Sequence, residues 1–322
     1  MDIFDNHFRL KPHRHPAVSA LLAFLVSLIT FMLIGPLIGS IFAILVFDGS
    51  AMEFIQGMSN ASESDSYKLP LFILQGSASF IGLFVLPALY LKGAEKINPT
   101  SLISKRLSLL PWLLTGLVTL AFMPVNSAFI EWNANVQFPE FVSDFESWAR
   151  ETEEAAARMT EQLTQFNSFS EFLIGFTVIA IFAALGEELV FRGMIQNMLH
   201  KSFGNIHAAI WISAALFSLI HLQFFGFVPR MLLGALFGYL YYWSGSLWIP
   251  IFAHLVNNGF MLILIYLNTT GFIDFDLENS ETAPWLAVLI FAIITVSLMF
   301  YFRKYFIKYN SSHDGLAESV HS

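Results

Sequence analysis

Eight stretches of the chain are almost unbroken runs of apolar residues, at 17–47, 69–91, 109–130, 170–199, 206–222, 228–243, 247–268 and 284–302. A helix needs roughly 17–25 such residues to cross a bilayer, a length only the run at 228–243 falls short of. The first run has Gly35-Pro36 at its middle, which predicts a kinked or strongly tilted span. It is too long for a secretory core and no small-residue cleavage site follows, so it is expected to stay as a membrane helix. One polar stretch has a helical period of its own. Segment 140–166 sets Phe141, Phe145, Trp148, Ala155, Met159, Leu163 and Phe166 opposite Asp144, Glu146, Glu151, Glu153, Glu154 and Glu161. That pattern predicts an amphipathic helix packed over neighbouring spans, and its acidic face argues against adhesion to anionic lipid. Gly35-x-x-x-Gly39 and Gly234-x-x-x-Gly238 permit close helix approach, although such spacing is common by chance.

Composition agrees with a membrane protein. The 322 residues are 56% hydrophobic and 12% charged, with a mean hydropathy of +0.64. Soluble domains average about 25% charged residues, so the polar surface of a water-soluble globule of this size is missing. There is no cysteine, which rules out disulfides, a thiol nucleophile, thiolate metal sites and lipid anchors on cysteine.

Charge placement gives an orientation. With eight spans and a cytoplasmic N-terminus, Arg9, Lys11, Arg14, Lys92, Lys96, Lys105, Arg106, Arg192, Lys201, Arg303, Lys304 and Lys308 fall inside. Only Lys68, Arg150, Arg158 and Arg230 fall outside, a strong positive-inside bias. The expected protein is all-α and polytopic, a multi-pass cell-membrane protein with about eight transmembrane helices and both termini cytoplasmic. Its parts are a cytoplasmic segment 1–16, an integral membrane domain 17–306 and a polar, disordered cytoplasmic tail 307–322. The expected surroundings are lipid and a membrane protein or peptide substrate, without nucleic acid; oligomeric state is not legible.

Polar side chains inside these runs mark the chemistry. Glu187, Glu188 and Arg192 lie in "LGEELVFRG", His221 in "FSLIH", and His254, Asn257 and Asn258 in "HLVNN". An ionisable group at mid-membrane costs at least a few kcal/mol, roughly +2.5 to +3.5 on insertion scales, and by default marks function. Glu188 and Arg192 are one turn apart and can neutralise each other, an ordinary structural ion pair. Glu187, about 100° round the helix, is left to protonate, find a cation or act as a base. His221 and His254 are the two histidines expected within spans, with Asn258 one turn after His254 and Phe217 one turn before His221. At about 1.5 Å per residue, Glu187 and His221 lie about 20 and 22 Å from their inner helix ends, and Asn258 and His254 about 16 and 10 Å. The groups can therefore meet between the fourth, fifth and seventh spans, with access expected from the cytoplasmic half. A glutamate with a histidine can deprotonate water, and a histidine with an asparagine can hold an oxyanion. Glu187, His221 and His254 are also a His₂Glu set of the kind that holds zinc. The estimated offset of His254 favours the metal-independent reading, which requires no cofactor.

The ordered trio "EELVFR", "FSLIH" and "HLVNN" resembles the E-E-x-x-x-R, F-x-x-x-H and H-x-x-x-N motifs of the CAAX prenyl endopeptidase and bacteriocin-processing (CPBP, or Abi) intramembrane proteases. The resemblance covers about 170–265. It implies an intramembrane endopeptidase in which Glu187 and His221 activate water while His254 and Asn258 stabilise the oxyanion. Two other classes fit the same polar centre. One is a non-proteolytic scaffold of that family. The other is a proton-coupled transporter, which calls for an inverted repeat of "GEELVFR" that the chain lacks.

Overall fold

The computed structural model describes residues 14–58, 64–103, 105, 107–274 and 283–320, with side chains placed to residue 311. Ten helices follow in order: α1 Pro16–Val46, α2 Ala51–Gly57, α3 Asp65–Gly93, α4 Leu109–Ala134, α5 Ser143–Thr164, α6 Phe169–Phe203, α7 Ile206–Leu219, α8 Phe224–Ser244, α9 Trp248–Thr269 and α10 Trp285–Val320. The described residues contain no strand. The fold is an all-α polytopic one.

Seven of these helices are long and apolar enough to cross a membrane. The fifth expected span is the exception. α7 has 14 residues, or about 21 Å of helix, short of the roughly 30 Å hydrocarbon core. It packs against α8 as a helical hairpin. The expected cytoplasmic segment 1–16 lies almost wholly outside the described residues. At the other end, the backbone of α10 continues as helix to Val320, through most of the stretch read from sequence as a disordered tail.

Four stretches widen into π-helix. In α1 the segment Thr30–Ile34 is followed by Pro36, and in α3 Ser77–Val85 is followed by Pro87. A helical proline lacks the N–H and crowds the turn before it, and local widening relieves both. The other two, Phe176–Phe182 and Leu189–Gln196, are both in α6. They contain no proline and bracket the short α-helical segment Ala183–Glu188 that carries both glutamates. π-Segments without such a local cause are frequent at functional sites.

Glycines let the helices approach. A Cβ at Gly82 would stand 2.5 Å from the Thr30 carbonyl oxygen, and one at Gly35 would stand 2.8 Å from Ala78 Cα, so α1 and α3 touch backbone to backbone. The aliphatic side chains of α1 and α10 that face away, such as Leu37, Leu45, Ile293 and Val296, are exposed. That is the outward apolar surface a bilayer would cover.

The two ends of the bundle are tied differently. At one end Lys105 Nζ donates to the Ser244 carbonyl at 2.8 Å and Leu247 N–H donates to the Leu102 carbonyl at 2.9 Å. At the other end α5 lies over the connection before α8. Phe225 N–H donates to Glu153 Oε2 at 3.2 Å, the Arg150 guanidinium sits 4.4 Å from the Phe225 ring centroid, and the Phe145 and Phe224 rings meet edge-on at 5.5 Å. The expected amphipathic helix is therefore present and packed, but only in part. Phe141, Phe145 and Trp148 keep 86%, 40% and 48% of their surface exposed, so the N-terminal half of the apolar stripe is only partly covered among the described residues.

Candidate active site

α6 supplies the two glutamates, and its central turn sets them apart. Glu188 is fully buried, whereas the side chain of Glu187 keeps 14% of its surface open to a cavity. Glu188 Oε1 accepts from Arg192 Nη1 at 2.6 Å, the i,i+4 pair expected from sequence. Arg192 Nη2 donates to the Gly234 carbonyl at 2.9 Å, and its guanidinium stacks 4.8 Å from the Phe217 ring centroid. Gly234 leaves room for that. A Cβ there would come within 3.1 Å of Arg192 Nη2. The Gly234-x-x-x-Gly238 pair thus serves side chains of α6 more than backbone contact, since Gln196 donates likewise to the Gly238 carbonyl at 3.1 Å.

His254, on α9, is nearly buried and joins both glutamates. Its Nδ1 is 2.8 Å from Glu188 Oε1 and its Nε2 is 3.8 Å from Glu187 Oε2. The carboxylate of Glu188 can only accept from this partner, so Nδ1 carries the proton and Nε2 faces Glu187. The Phe217 ring lies against both imidazoles, with centroids 5.2 Å from His221 and 6.2 Å from His254.

His221 does not lie within a helical span, as the sequence suggests. It sits on the turn that ends α7, followed by Leu222 with φ of 55°. That left-handed conformation is costly for leucine and breaks the helix at this residue. His221 Nδ1 is 2.9 Å from the Phe217 carbonyl. A carbonyl only accepts, which puts the proton on Nδ1 and leaves the Nε2 lone pair free.

Asn258 donates its amide to the Ile179 carbonyl at 3.1 Å, within the first π-segment of α6, and accepts from Asn257 Nδ2 at 3.0 Å. Glu187, His221, His254, Asn257 and Asn258 all line one cavity of about 520 Å³. The rest of its wall includes Asn126 and Ala134 of α4, Glu153 of α5, and Gly226 and Arg230 at the start of α8. These mark the end of the bundle that carries α5. The cavity therefore lies toward the 131–169 end of the bundle, whereas the sequence estimate favoured the end that carries the inner helix ends. That estimate measured depth only from the inner helix ends and had no view of which wall was open.

Three members of the wall escaped sequence reading. Arg230 stands at the head of the run 228–243 and counts there only as an outside charge. Glu153 looks like any other acid on the solvent face of α5, and Asn126 is an isolated amide two residues after Pro124. Arg230 alone carried a usable signal, a lone cation at the margin of an apolar helix.

The hydrogen bonds that fix the two histidines, to a backbone carbonyl and to a carboxylate, are of the kind that also orient metal-binding imidazoles. The mutual placement does not fit an ion, however. Among the described residues no three His, Cys, Asp or Glu side chains are grouped closely enough to hold one.

Residues 169–260 match the Rce1-like family, described as Type II CAAX prenyl endopeptidase Rce1-like. All three sequence motifs fall inside that interval. The chain is similar to Bacillus subtilis (strain 168) YdiL, described as a membrane peptidase, at 31% identity over 87 residues, which cover 27% of this chain and 35% of the relative. It is similar to Staphylococcus aureus (strain USA300) MroQ, described as a membrane-embedded CAAX protease, at 34% identity over 96 residues, covering 28% and 38%. A further relative, the uncharacterized B. subtilis protein YpbD, is 26% identical over 82 residues, covering 24% and 39%. The chain thus spans little more than a third of the length of these relatives. No solved structure matches it.

Proposed function

We propose that this protein is an intramembrane endopeptidase that hydrolyses a peptide bond of a membrane-associated protein or peptide. The observation that carries this reading is the meeting of Glu187, His221, His254 and Asn258 on one cavity within an apolar helix bundle. The match of the same region to a family of membrane endopeptidases supports it.

In this reading Glu187 is the general base. It is the one carboxylate of the pair that reaches the cavity, while Glu188 is committed to Arg192 and His254. His221 presents an unprotonated Nε2 and shares the proton taken from water. Attack on the scissile carbonyl forms an oxyanion, which accepts from the remaining Asn258 amide proton and from His254 Nε2 once the proton taken from water has passed through Glu187 to that nitrogen. The proton then passes to the leaving amine. Glu188 and Arg192 are positioning residues, fixing the tautomer and direction of His254 from below. A membrane substrate enters sideways or from the α5 end, and the orientation proposed for the chain puts that end outside a cell membrane.

The test is turnover by the purified protein, in micelles, of a pool of apolar peptides, with cleavage products identified by mass spectrometry. Products that vanish in Glu187→Gln and in His221→Ala support the reading. Products unchanged in both variants, or no products from any form, count against it.

A further inference from the structure

The cavity holds a cation that the hydrolytic scheme does not use. Arg230 lines it beside Glu187 and His221. Its Nη2 donates to Gln223 Oε1 at 2.7 Å, which secures one side of the guanidinium to the turn after α7. Its Nη1 is buried and has no hydrogen-bond partner among the described residues. A guanidinium presents its N–H groups as a planar fork suited to a carboxylate, so one arm is anchored and the other is unfilled.

Two features keep that arm free. Gly226 lies under the guanidinium, where a Cβ would come within 3.1 Å of Nη2 and 3.4 Å of Nη1. Glu153 and Glu187 share the cavity, but neither forms an ion pair with Arg230, and the Glu153 carboxylate is held by the Phe225 N–H at 3.2 Å. A purely structural arginine would spend both arms on the protein, because an unsatisfied buried donor is costly. Glu153 also couples this site to α5, the helix outside the spans.

We infer that Arg230 is a specificity-determining residue that receives a carboxylate of the bound peptide, in the same cavity as the hydrolytic groups. The carboxylate belongs either to an Asp or Glu side chain or to the C-terminus of the peptide. This inference rests on the peptidase reading above. It adds that the preferred substrate is an anionic peptide rather than a uniformly apolar one.

Capture, rather than turnover, separates the two ideas. Purified full-length Glu187→Gln protein is immobilised in micelles and offered one randomised apolar peptide pool in three forms. One form has a C-terminal amide and no acid, one has a free C-terminal carboxylate and no internal acid, and one has a C-terminal amide with a single internal Asp or Glu. One carboxylate form should be retained about ten- to a hundredfold better than the neutral form, the range set by a charge-assisted hydrogen bond. Which form it is identifies the source. Adding Arg230→Gln should bring that form down to the neutral level, while Arg230→Lys, which keeps the charge, should keep part of the preference. Equal retention of the three forms overturns the inference, as does a preference that survives Arg230→Gln. Retention of no form above bare resin also overturns it, and leaves the hydrolytic reading to stand or fall on its own turnover assay. If Arg230→Gln lowers the melting temperature, Arg230→Lys decides: a folded lysine variant with no carboxylate preference at all sinks the proposal.

Discussion

His254 Nδ1 lies 2.8 Å from the very oxygen of Glu188, Oε1, that Arg192 reaches at 2.6 Å. One buried carboxylate oxygen therefore neutralises a guanidinium and orients an imidazole at once. The adjacent acid, Glu187, is left facing the cavity.

That division sets the first prediction. Glu187→Gln keeps the shape of the side chain and removes the base. It should lower hydrolysis by about a hundred- to ten-thousandfold while the melting temperature stays near that of the parent. Glu188→Gln leaves Arg192 buried without its counter-ion, a change worth about 3–5 kcal/mol of stability, and also frees His254 to turn. Melting curves and turnover of both variants, measured in the same micelles, check the assignment. Equal melting temperatures with equal losses of activity contradict it.

Glycines supply the second prediction. A Cβ at Gly238 would stand 2.8 Å from Gln196 Oε1 and 2.9 Å from Ile210 Cγ2, inside a packed wall of side chains. Gly238→Ala should cost about 1–3 kcal/mol, the usual penalty of overpacking. Gly116 gives the control, because its nearest neighbour would be Phe252 Cε1 at 3.7 Å, ordinary contact. Gly116→Ala should be neutral or stabilising, by up to about 1 kcal/mol for a helix interior. Thermal denaturation of the pair distinguishes specific crowding from a general intolerance of α4 and α8 to change.

The sequence is informative wherever the bilayer forces a choice. Apolar runs fix the helices, and polar residues in them are so costly that Glu187, Glu188, Arg192, His254 and Asn258 identify themselves. The ion pair of Glu188 with Arg192 follows from a four-residue spacing alone. What the sequence cannot give is how far a helix departs from an even 3.6-residue turn. The π-segments of α6 alter which way the side chains of that helix face. The stop after α7 is similarly hidden, since it depends on Leu222 taking a left-handed conformation that no leucine advertises. Arg230 and Glu153 are missed for another reason. Each belongs to a segment that looks like a solvent-exposed margin until the fold brings α5 over the head of α8.

The third prediction concerns sidedness. Lysine and arginine placement puts the 131–169 segment outside and the 94–108 segment inside. The shortness of α7 does not change this, because the α7–α8 hairpin goes out and returns whether or not it crosses fully. The chain has no cysteine, so single-cysteine variants report cleanly. Glu154→Cys and Thr100→Cys, both at exposed positions, are treated with a membrane-impermeant maleimide. In intact cells Glu154→Cys should label and Thr100→Cys should label only after lysis. The reverse pattern would turn the whole protein over and open the cavity to the cytoplasm.

The fourth prediction is a pH dependence seated in α5. Burial against the head of α8 pushes the Glu153 carboxyl above its ordinary value, with the Phe225 N–H and Arg230 opposing the rise in part. A carboxyl raised in the folded state binds its proton more tightly there than in the unfolded chain. Its contribution to stability is fully present below the unfolded value of about 4.5 and is lost as pH rises through the folded value. The melting temperature of the parent should therefore fall, relative to Glu153→Gln, over the pH range just above 4.5. A difference between the two proteins that stays constant across that range, or changes in the opposite sense, would count against a Glu153 carboxyl raised by burial.

The last prediction concerns metal dependence. A His₂Glu zinc site needs each donor atom within about 2.0–2.2 Å of the ion, which brings the donors within roughly 4 Å of one another. His254 Nε2 and Glu187 Oε2, at 3.8 Å, would be close enough to share an ion. The third donor is the difficulty, because no grouping of three such side chains is present among the described residues. The metal-independent scheme asks less of His221. Its Nε2 must reach a water held by Glu187, which a gap of one solvent molecule allows. Turnover should then persist after exhaustive dialysis against a strong zinc chelator, and metal content per protein should stay well below one. Stoichiometric zinc whose removal stops hydrolysis, and whose return restores it, would replace this scheme with a metallopeptidase. It would also require His221 to swing inward from the end of α7 to complete the set.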